Sequence, residues 1–418
     1  MSSVTSESLE PSRPGRTAVL LLAVCFVLNM AVRGVQEVFP VFLLPISDAF
    51  GAGRAETTSV IALSFLVLGL SGPVIGWLFD RWGPFRLFLL GLLLTAVAAV
   101  LASRATALWQ LHITLGAMIG FGVGCVGFVP IAALLSKWFR ARLSSAMATA
   151  HSANGIGLLW MSPLAQYLID WQGWRTAYLT LGLSLLALLP VLFLLNWTWV
   201  RRGHPGYRTA DRGTDAEARP VGNAPTLRDA LKHPAFWGIG WAFLFTSIGM
   251  YMISVQTPAY LVHVGYSRQD AAEAFGLVGL LLPVGLIGFG WLADRAGRSR
   301  TIRLTYLLSL CGLTCLMLLS DGPSLWLLGL FILLFGGTFG ARGPIVSTIA
   351  AVNFRGPDFG RIFGTITMGM GFGVAIGAWA SGFLYDLTGD YRIIIAAAMA
   401  ALVLAASVFV FVRPMARA

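Results

Sequence analysis

Charge is what this sequence has least of. Asp, Glu, Lys and Arg make up 11% of its 418 residues, against roughly 25% in a soluble domain. A soluble enzyme and a disordered chain are both excluded, because neither could keep 57% apolar residues in contact with water. Cysteine is scarce too. Cys25, Cys125, Cys311 and Cys315 all lie in apolar runs, and their spacing suits neither a disulfide framework nor a zinc site, so they read as small buried hydrophobes. No cleaved leader is expected, since the apolar run that follows Arg13 and Arg16 is too long for a signal peptide. Catalytic signatures are missing as well. There is no H-E-x-x-H, no G-x-S-x-G, no Walker loop and no midplane carboxylate pair. No enzymatic activity, cofactor, metal or self-powered ATP-driven transport is therefore expected.

What is abundant is apolar length. Mean hydropathy is +0.78, and 48 glycines suit helices that pack closely in lipid. The first apolar run begins at residue 17 and holds Arg33 and Glu37. Uncharged runs follow at 57–79, 87–103, 105–136, 143–169 and 176–200. A second series covers 234–267, 274–293, 304–320, 322–354, 362–385 and 393–412, interrupted once, by Arg342. Each run is long enough for about 20 helical residues, or ~30 Å. A backbone in lipid must satisfy its own hydrogen bonds, so twelve spanning helices are predicted, six plus six. The predicted organisation is a cytoplasmic tail at 1–16, a six-helix bundle at 17–200, a polar cytoplasmic linker at 201–233, a second bundle at 234–413 and a short cytoplasmic tail at 414–418. Residues 226–233 read as a short surface helix.

Net charge is +11. Of the 29 Lys and Arg, 22 fall in the two tails and the loops on their side of the membrane. Only Arg54, Arg104, Arg175, Arg268 and Arg392 fall in the opposite loops. That bias places both termini in the cytoplasm, in what is expected to be a bacterial inner (plasma) membrane. The basic total is a topology signal, and no nucleic-acid partner is expected.

The halves repeat each other. Gly76-Trp77-Leu78-Phe79-Asp80-Arg81-Trp82-Gly83 recurs as Gly290-Trp291-Leu292-Ala293-Asp294-Arg295-Ala296-Gly297, 214 positions later. At the same offset Arg54 meets Arg268 and Arg86 meets Arg300. Asp170-Trp171-Gln172-Gly173-Trp174-Arg175 is echoed by Asp386 and by Gly389-Asp390-Tyr391-Arg392. Duplicated six-helix units suit two bundles that rock about a site between them.

On these residues the chain resembles the major facilitator superfamily, which carries G-x-x-x-D-R-x-G between its second and third helices and again between its eighth and ninth. The resemblance implies an all-α membrane fold of twelve transmembrane helices in two six-helix bundles. It also implies that Gly76, Asp80, Arg81 and Gly83, with Gly290, Asp294, Arg295 and Gly297, gate the cytoplasmic side. The plainer alternative is a tight turn with solvated charges. Within the superfamily, Asp80-Arg81-Trp82-Gly83-Pro84, Ser162-Pro163-Leu164 and Gly173-Trp174-Arg175 resemble the monocarboxylate and oxalate–formate porter branch. The basic residues that oxalate–formate exchangers place in helices 8 and 11 have no counterpart in 274–293 or 362–385. The helix-1 lysine of animal monocarboxylate porters is not matched either; the nearest charges are Arg33 and Glu37. A substrate does not carry across with the fold.

A charge inside a membrane costs from ~2.5 to over ~10 kcal/mol, so each one needs a reason. Arg33 lies about 15 residues into the first helix, with Glu37 one turn on. Asn29, Arg33, Gln36, Glu37 and Pro40 share an arc of roughly 100°, a polar stripe that must face protein or water. Arg342 sits about 12 residues before the cytoplasmic end of the tenth helix, among Gly336, Gly337, Gly340 and Gly343. The superfamily fold brings helices 1 and 10 to a central cavity, so the two arginines are expected to converge on one anion. A guanidinium keeps its proton, and its planar fork matches a carboxylate. The competing arrangement is a self-satisfied Arg33–Glu37 pair, with Arg342 bonded to carbonyls. A third is a polar or zwitterionic substrate.

The expected substrate contacts are Arg33, Arg342, Asn154, Gln256 and Tyr260, the last two serving helix packing equally well. Glu37 and His151 are the proton-coupling candidates, because an anion that takes Arg33 would release Glu37 to accept a proton. The chain therefore reads as a secondary transporter for a small organic anion, a carboxylate by preference. It would work by alternating access with proton symport or anion exchange, as a monomer in the bilayer. A proton-coupled drug or metabolite efflux antiporter is the rival, disfavoured because Gly155, Gly157, Ser162 and Pro163 lack the antiporter arrangement. A non-transporting sensor is disfavoured because linker and tail leave no room for a signalling domain.

Overall fold

The computed structural model describes residues 16–139, 143–202, 226–354 and 359–411. The tails expected at 1–16 (all but Arg16) and 414–418, and most of the linker expected at 201–233, lie outside the described residues.

Among the described residues there is helix and no strand, as lipid requires of a backbone that must pair with itself. Ten helices are long and apolar enough to cross a membrane. One of them, Ser145–Leu192, holds two crossings, because Gly173 at φ 82°, ψ 165° breaks the helix in a conformation that a side chain disfavours. A further crossing comes in two pieces, Leu325–Phe339 and Arg342–Asn353. The twelve are α1 Arg16–Phe50, α2 Arg54–Trp82, α3 Pro84–Ala102, α4 Leu108–Leu135, α5 143–172, α6 174–192, α7 Pro234–Val264, α8 Arg268–Ala296, α9 Arg298–Asp321, α10 325–353, α11 Phe359–Thr388 and α12 Tyr391–Phe411.

The helices that shape the centre are the broken ones. In α1 the helix ends at Glu37 and restarts at Phe39; Pro40 has no N–H to offer the Gln36 carbonyl. Helices α4 and α10 each carry a π-helical stretch, His112–Met118 and Ile332–Gly336. Each then breaks again, at Gly127 and at Gly340–Ala341. The matching breaks extend the duplication from sequence into structure. Wider helical turns of this kind concentrate at functional sites.

Each half closes an apolar core of its own. The first cluster, from Ala18 to Val200, also takes in Tyr251, Val255, Phe275 and Val374 of the second half. Across the two halves, α2 runs against α11 and α5 against α8. Backbones touch there: a Cβ on Gly155 would overlap the Gly279 carbonyl oxygen, and one on Gly69 would lie 3.4 Å from Gly371 Cα. Small residues permit such approach, and dispersion then holds the helices together.

The two ends of the molecule differ. At the end away from the termini, Asp386 of α11 reaches the first turn of α2. Its Oδ1 accepts from the Arg54 N–H at 2.8 Å and its Oδ2 from the Ala55 N–H at 2.7 Å. The carboxylate thus caps a helix of the other bundle, where the helix dipole favours negative charge. Gly53 makes room for it, since a Cβ there would stand 2.7 Å from Asp386 Oδ2. The Arg54 guanidinium lies over the Tyr385 ring at 4.6 Å. At the termini end, Asp80, Arg81, Asp294 and Arg295 are exposed. Among the described residues neither aspartate makes an ion pair; Arg81 lies over Trp77 at 5.3 Å and Arg295 over Trp291 at 4.1 Å. The two halves are thus joined at the far end, and among the described residues no ion pair joins them at the termini end.

Candidate functional site

The polar stripe of α1 meets the second bundle at the centre. Arg33 donates to Glu37 Oε1 through Nε at 3.0 Å, and its Nη2 stands 2.9 Å from the same oxygen. The same oxygen accepts from the Tyr251 hydroxyl of α7 at 3.4 Å. Among the described residues no donor reaches Oε2, and Arg33 Nη1 has no acceptor. Both side chains keep access to water, at 17% and 14% exposure. The pair is thus partly exposed, with one carboxylate oxygen and one edge of the guanidinium unspent.

Aromatic rings wall the pair. The Arg33 guanidinium lies over Phe65 of α2 at 5.6 Å. Tyr251 meets Phe65 edge-on at 4.8 Å and Phe339 of α10 at 5.6 Å. On the α5 side, Asn29 donates to the Ala150 carbonyl and to Asn154 Oδ1, both at 3.0 Å. That fixes the Asn154 amide and leaves its Nδ2 without an acceptor among the described residues. His151 stacks on Phe128 at 4.8 Å, and its buried Nε2 has no hydrogen-bond partner among the described residues. Gln36 donates to Ser64 at 2.7 Å, tying α1 to α2.

Arg342 stands elsewhere. It is 4% exposed, and its donors are taken within the second bundle. Nη2 donates to the Thr305 carbonyl at 2.7 Å and to the Ser309 hydroxyl. Nε donates to Thr305 Oγ1 at 3.2 Å, and Nη1 to Met250 Sδ at 3.4 Å. The guanidinium stacks on Tyr306 at 4.3 Å, and Ser309 continues to Thr338 at 2.6 Å. Four of the five N–H groups that a guanidinium offers are spent. The expected convergence of Arg33 and Arg342 is therefore not found: the two share no partner, and α9 supplies acceptors that hold Arg342 away. Gln256 and Tyr260 also stand apart from Arg33. Gln256 donates to Ser381 of α11 at 3.1 Å, and Tyr260 to the Leu316 carbonyl of α9 at 2.7 Å. Both bind helices of one bundle together.

The structure thus gathers Arg33, Glu37, His151 and Asn154 near the centre and leaves Arg342, Gln256 and Tyr260 in the packing of the second bundle. It adds Tyr251, Phe65 and Phe339, which sequence reasoning missed. One signal was present for Tyr251: it lies 214 positions after Glu37, the offset of the duplicated loop. Of the duplicated loop itself, Gly83 and Gly297 end α2 and α8 with φ 79° and 91°, the turn that follows Asp80 and Asp294 at the termini end.

Comparison with known proteins agrees with the architecture. An uncharacterized MFS-type transporter, YcxA of Bacillus subtilis (strain 168), is 25% identical over 90% of this chain and 90% of its own. Monocarboxylate transporter 12 of Xenopus laevis is 28% identical over 88% of this chain and 82% of its own. Monocarboxylate transporter 13 of Bos taurus is 27% identical, covering 91% and 86%. A crystal structure of a D-xylose-proton symporter superposes with a TM-score of 0.73 over 94% of this chain and 97% of that one; at 12% identity the likeness is one of fold. The Major Facilitator Superfamily profile matches residues 20–357 and 289–418, and with both bundles and the duplicated loop in place, the chain belongs to that superfamily of transporters.

Proposed function

We propose that the protein carries a small organic monocarboxylate across the membrane with a proton, by alternating access about the Arg33–Glu37 pair. The observation that carries this reading is the unspent edge of Arg33, a wetted guanidinium at mid-membrane with a carboxylate one turn away. An incoming carboxylate matches the fork of Arg33 better than Glu37 does, since Glu37 reaches it through one oxygen only. Once Arg33 is taken, Glu37 is an unpaired anion in a low dielectric. A proton on its free Oε2 removes that charge. Ligand and proton then cross as a neutral set, and a bundle swing carries no uncompensated charge through lipid. Glu37 favours proton symport over simple exchange. His151, with its unpartnered Nε2 beside Asn154, is the second group suited to a proton or to a polar atom of the ligand. Arg342 serves the second bundle as a buttress between α9 and α10.

The charge bias of the loops supports cytoplasmic termini, in the inner membrane of a bacterium. Asp80, Arg81, Asp294 and Arg295 would then hold that side shut in the opposite state. One chain contains both bundles and the whole path, which suits a monomer.

A thermal-shift screen tests the ligand class. Purified protein is melted with acetate, pyruvate, L-lactate, benzoate and succinate. A ligand at a hundredfold excess over its Kd stabilises by about 2.7 kcal/mol. A monocarboxylate is expected to raise the melting temperature of the wild type and not that of Arg33→Gln. No shift with any carboxylate, or an equal shift in both proteins, contradicts the reading.

A further inference from the structure

We propose that Tyr251 is the second bundle's half of the carboxylate site, its hydroxyl passing from Glu37 to the ligand when the ligand takes Arg33. The inference rests on the carboxylate reading above and adds to it a residue, a role and a selectivity.

The geometry is that of a hand-off. The Tyr251 hydroxyl reaches Glu37 Oε1 at 3.4 Å, the same oxygen that accepts from Arg33 Nε. A hydroxyl donating to oxygen usually does so at 2.7–2.8 Å, so this bond is long and easily given up for a shorter one. A carboxylate that docks on the free edge of Arg33 brings a charged oxygen to the hydroxyl's side. The ring is fixed by packing on Phe65 and Phe339 and needs no hydrogen bond to hold its place. Among the described residues Glu37 is the hydroxyl's only acceptor. A protonated Glu37 is a poor one, and a buried donor left without a partner is costly. The ligand carboxylate relieves that cost.

The placement explains why occupancy should close the molecule. Arg33, Glu37, Asn154 and His151 belong to the first bundle. A ligand held by them alone would give the second bundle no reason to move, because a ligand shifts a conformational equilibrium only through differential contacts. Tyr251 supplies a contact that both bundles must assemble. Its position is the repeat counterpart of Glu37, 214 residues on. The two halves are related by an axis along the membrane normal, so matched positions face each other across the ligand path. One half places an acceptor there and the other a donor.

A selectivity follows. Two donors, Arg33 and Tyr251, serve a single carboxylate, and the walls beyond them are Phe65 and Phe339. A monoanion with a compact apolar body fits; a second carboxylate would meet ring faces.

The test compares the wild type with Tyr251→Phe and Arg33→Gln, using the tightest binder among acetate, pyruvate, L-lactate and benzoate, with succinate as the dianion. Tyr251→Phe keeps the ring, so its ligand-free melting temperature is expected to stay within about 2 °C of the wild type. Its affinity for the monocarboxylate is expected to fall roughly tenfold or more, the loss of one charge-assisted hydrogen bond. Arg33→Gln is expected not to bind. Affinity in Tyr251→Phe within twofold of the wild type, with Arg33→Gln still dead, overturns the role of Tyr251 and spares the carboxylate reading. A Tyr251→Phe protein that does not fold contradicts the packing argument and overturns the proposal. A wild type that binds none of the probes overturns both readings.

Discussion

Two arginines inside one membrane protein have opposite surroundings, and the difference lies in what their donors meet. Arg33 turns Nε and Nη2 toward one carboxylate oxygen and keeps an edge exposed. Arg342 spends four on two threonine atoms, a serine and a methionine, and stacks on Tyr306. The first arrangement leaves something for a ligand; the second leaves almost nothing. Arg342→Gln is therefore expected to destabilise the protein by about 1–3 kcal/mol, because Thr305 and Ser309 lose their donor. Its affinity for a carboxylate should stay within about twofold of the wild type. Melting curves with and without ligand measure both. A large loss of affinity with unchanged stability would return Arg342 to the ligand. The sequence exposes the charge of each arginine and its depth, since both stand out of apolar runs. It does not expose their partners. Glu37 was legible because it lies one turn away on the same helix. Thr305 and Ser309 were not, because they lie on another helix, whose facing side one sequence does not declare.

The elements show the same division. Twelve crossings are legible because lipid imposes length and apolarity on each. The breaks within α1, α4 and α10 are less so. Pro40 and Gly127 mark two of them, but a π-helical stretch such as His112–Met118 has no composition of its own. Between elements, the sharpest feature is the cap that Asp386 places on α2 from the other bundle. The sequence shows Asp386 only as an echo of Asp170, and Arg54 only as one of five arginines on the sparse side. Their meeting is a property of the closed far end. Asp386→Ala removes both bonds and should open that end. Spin labels at Glu56 and Asp390, in a chain whose four cysteines are replaced by alanine, read the distance across it. The variant is expected to populate longer separations, consistent with the loss of two charge-assisted hydrogen bonds worth about 1.5–3 kcal/mol each at most. A distance distribution equal to that of the parent would mean that the glycine contacts of α2 with α11 and of α5 with α8 hold the far end unaided.

At the scale of the whole molecule, the two bundles meet along an interface that is capped at the far end by Asp386. The Arg33–Glu37 pair and Tyr251 lie where they join. The duplication legible in the sequence becomes a mechanical symmetry: paired breaks in α4 and α10, paired glycine contacts and paired loops at the termini end. The halves differ chemically where charge on α1 faces a phenol on α7, and that is where the proposed ligand sits; a second difference is Arg342, whose counterpart 214 positions earlier is Phe128. The most direct test is transport itself. Protein in liposomes with an internal pH indicator is given an inward proton gradient and the best monocarboxylate of the binding screen. The wild type is expected to take up anion and proton together, Arg33→Gln neither, and Glu37→Gln to exchange anion for anion without moving protons. Uptake by Arg33→Gln at the wild-type rate, or proton-coupled uptake by Glu37→Gln, would contradict the account.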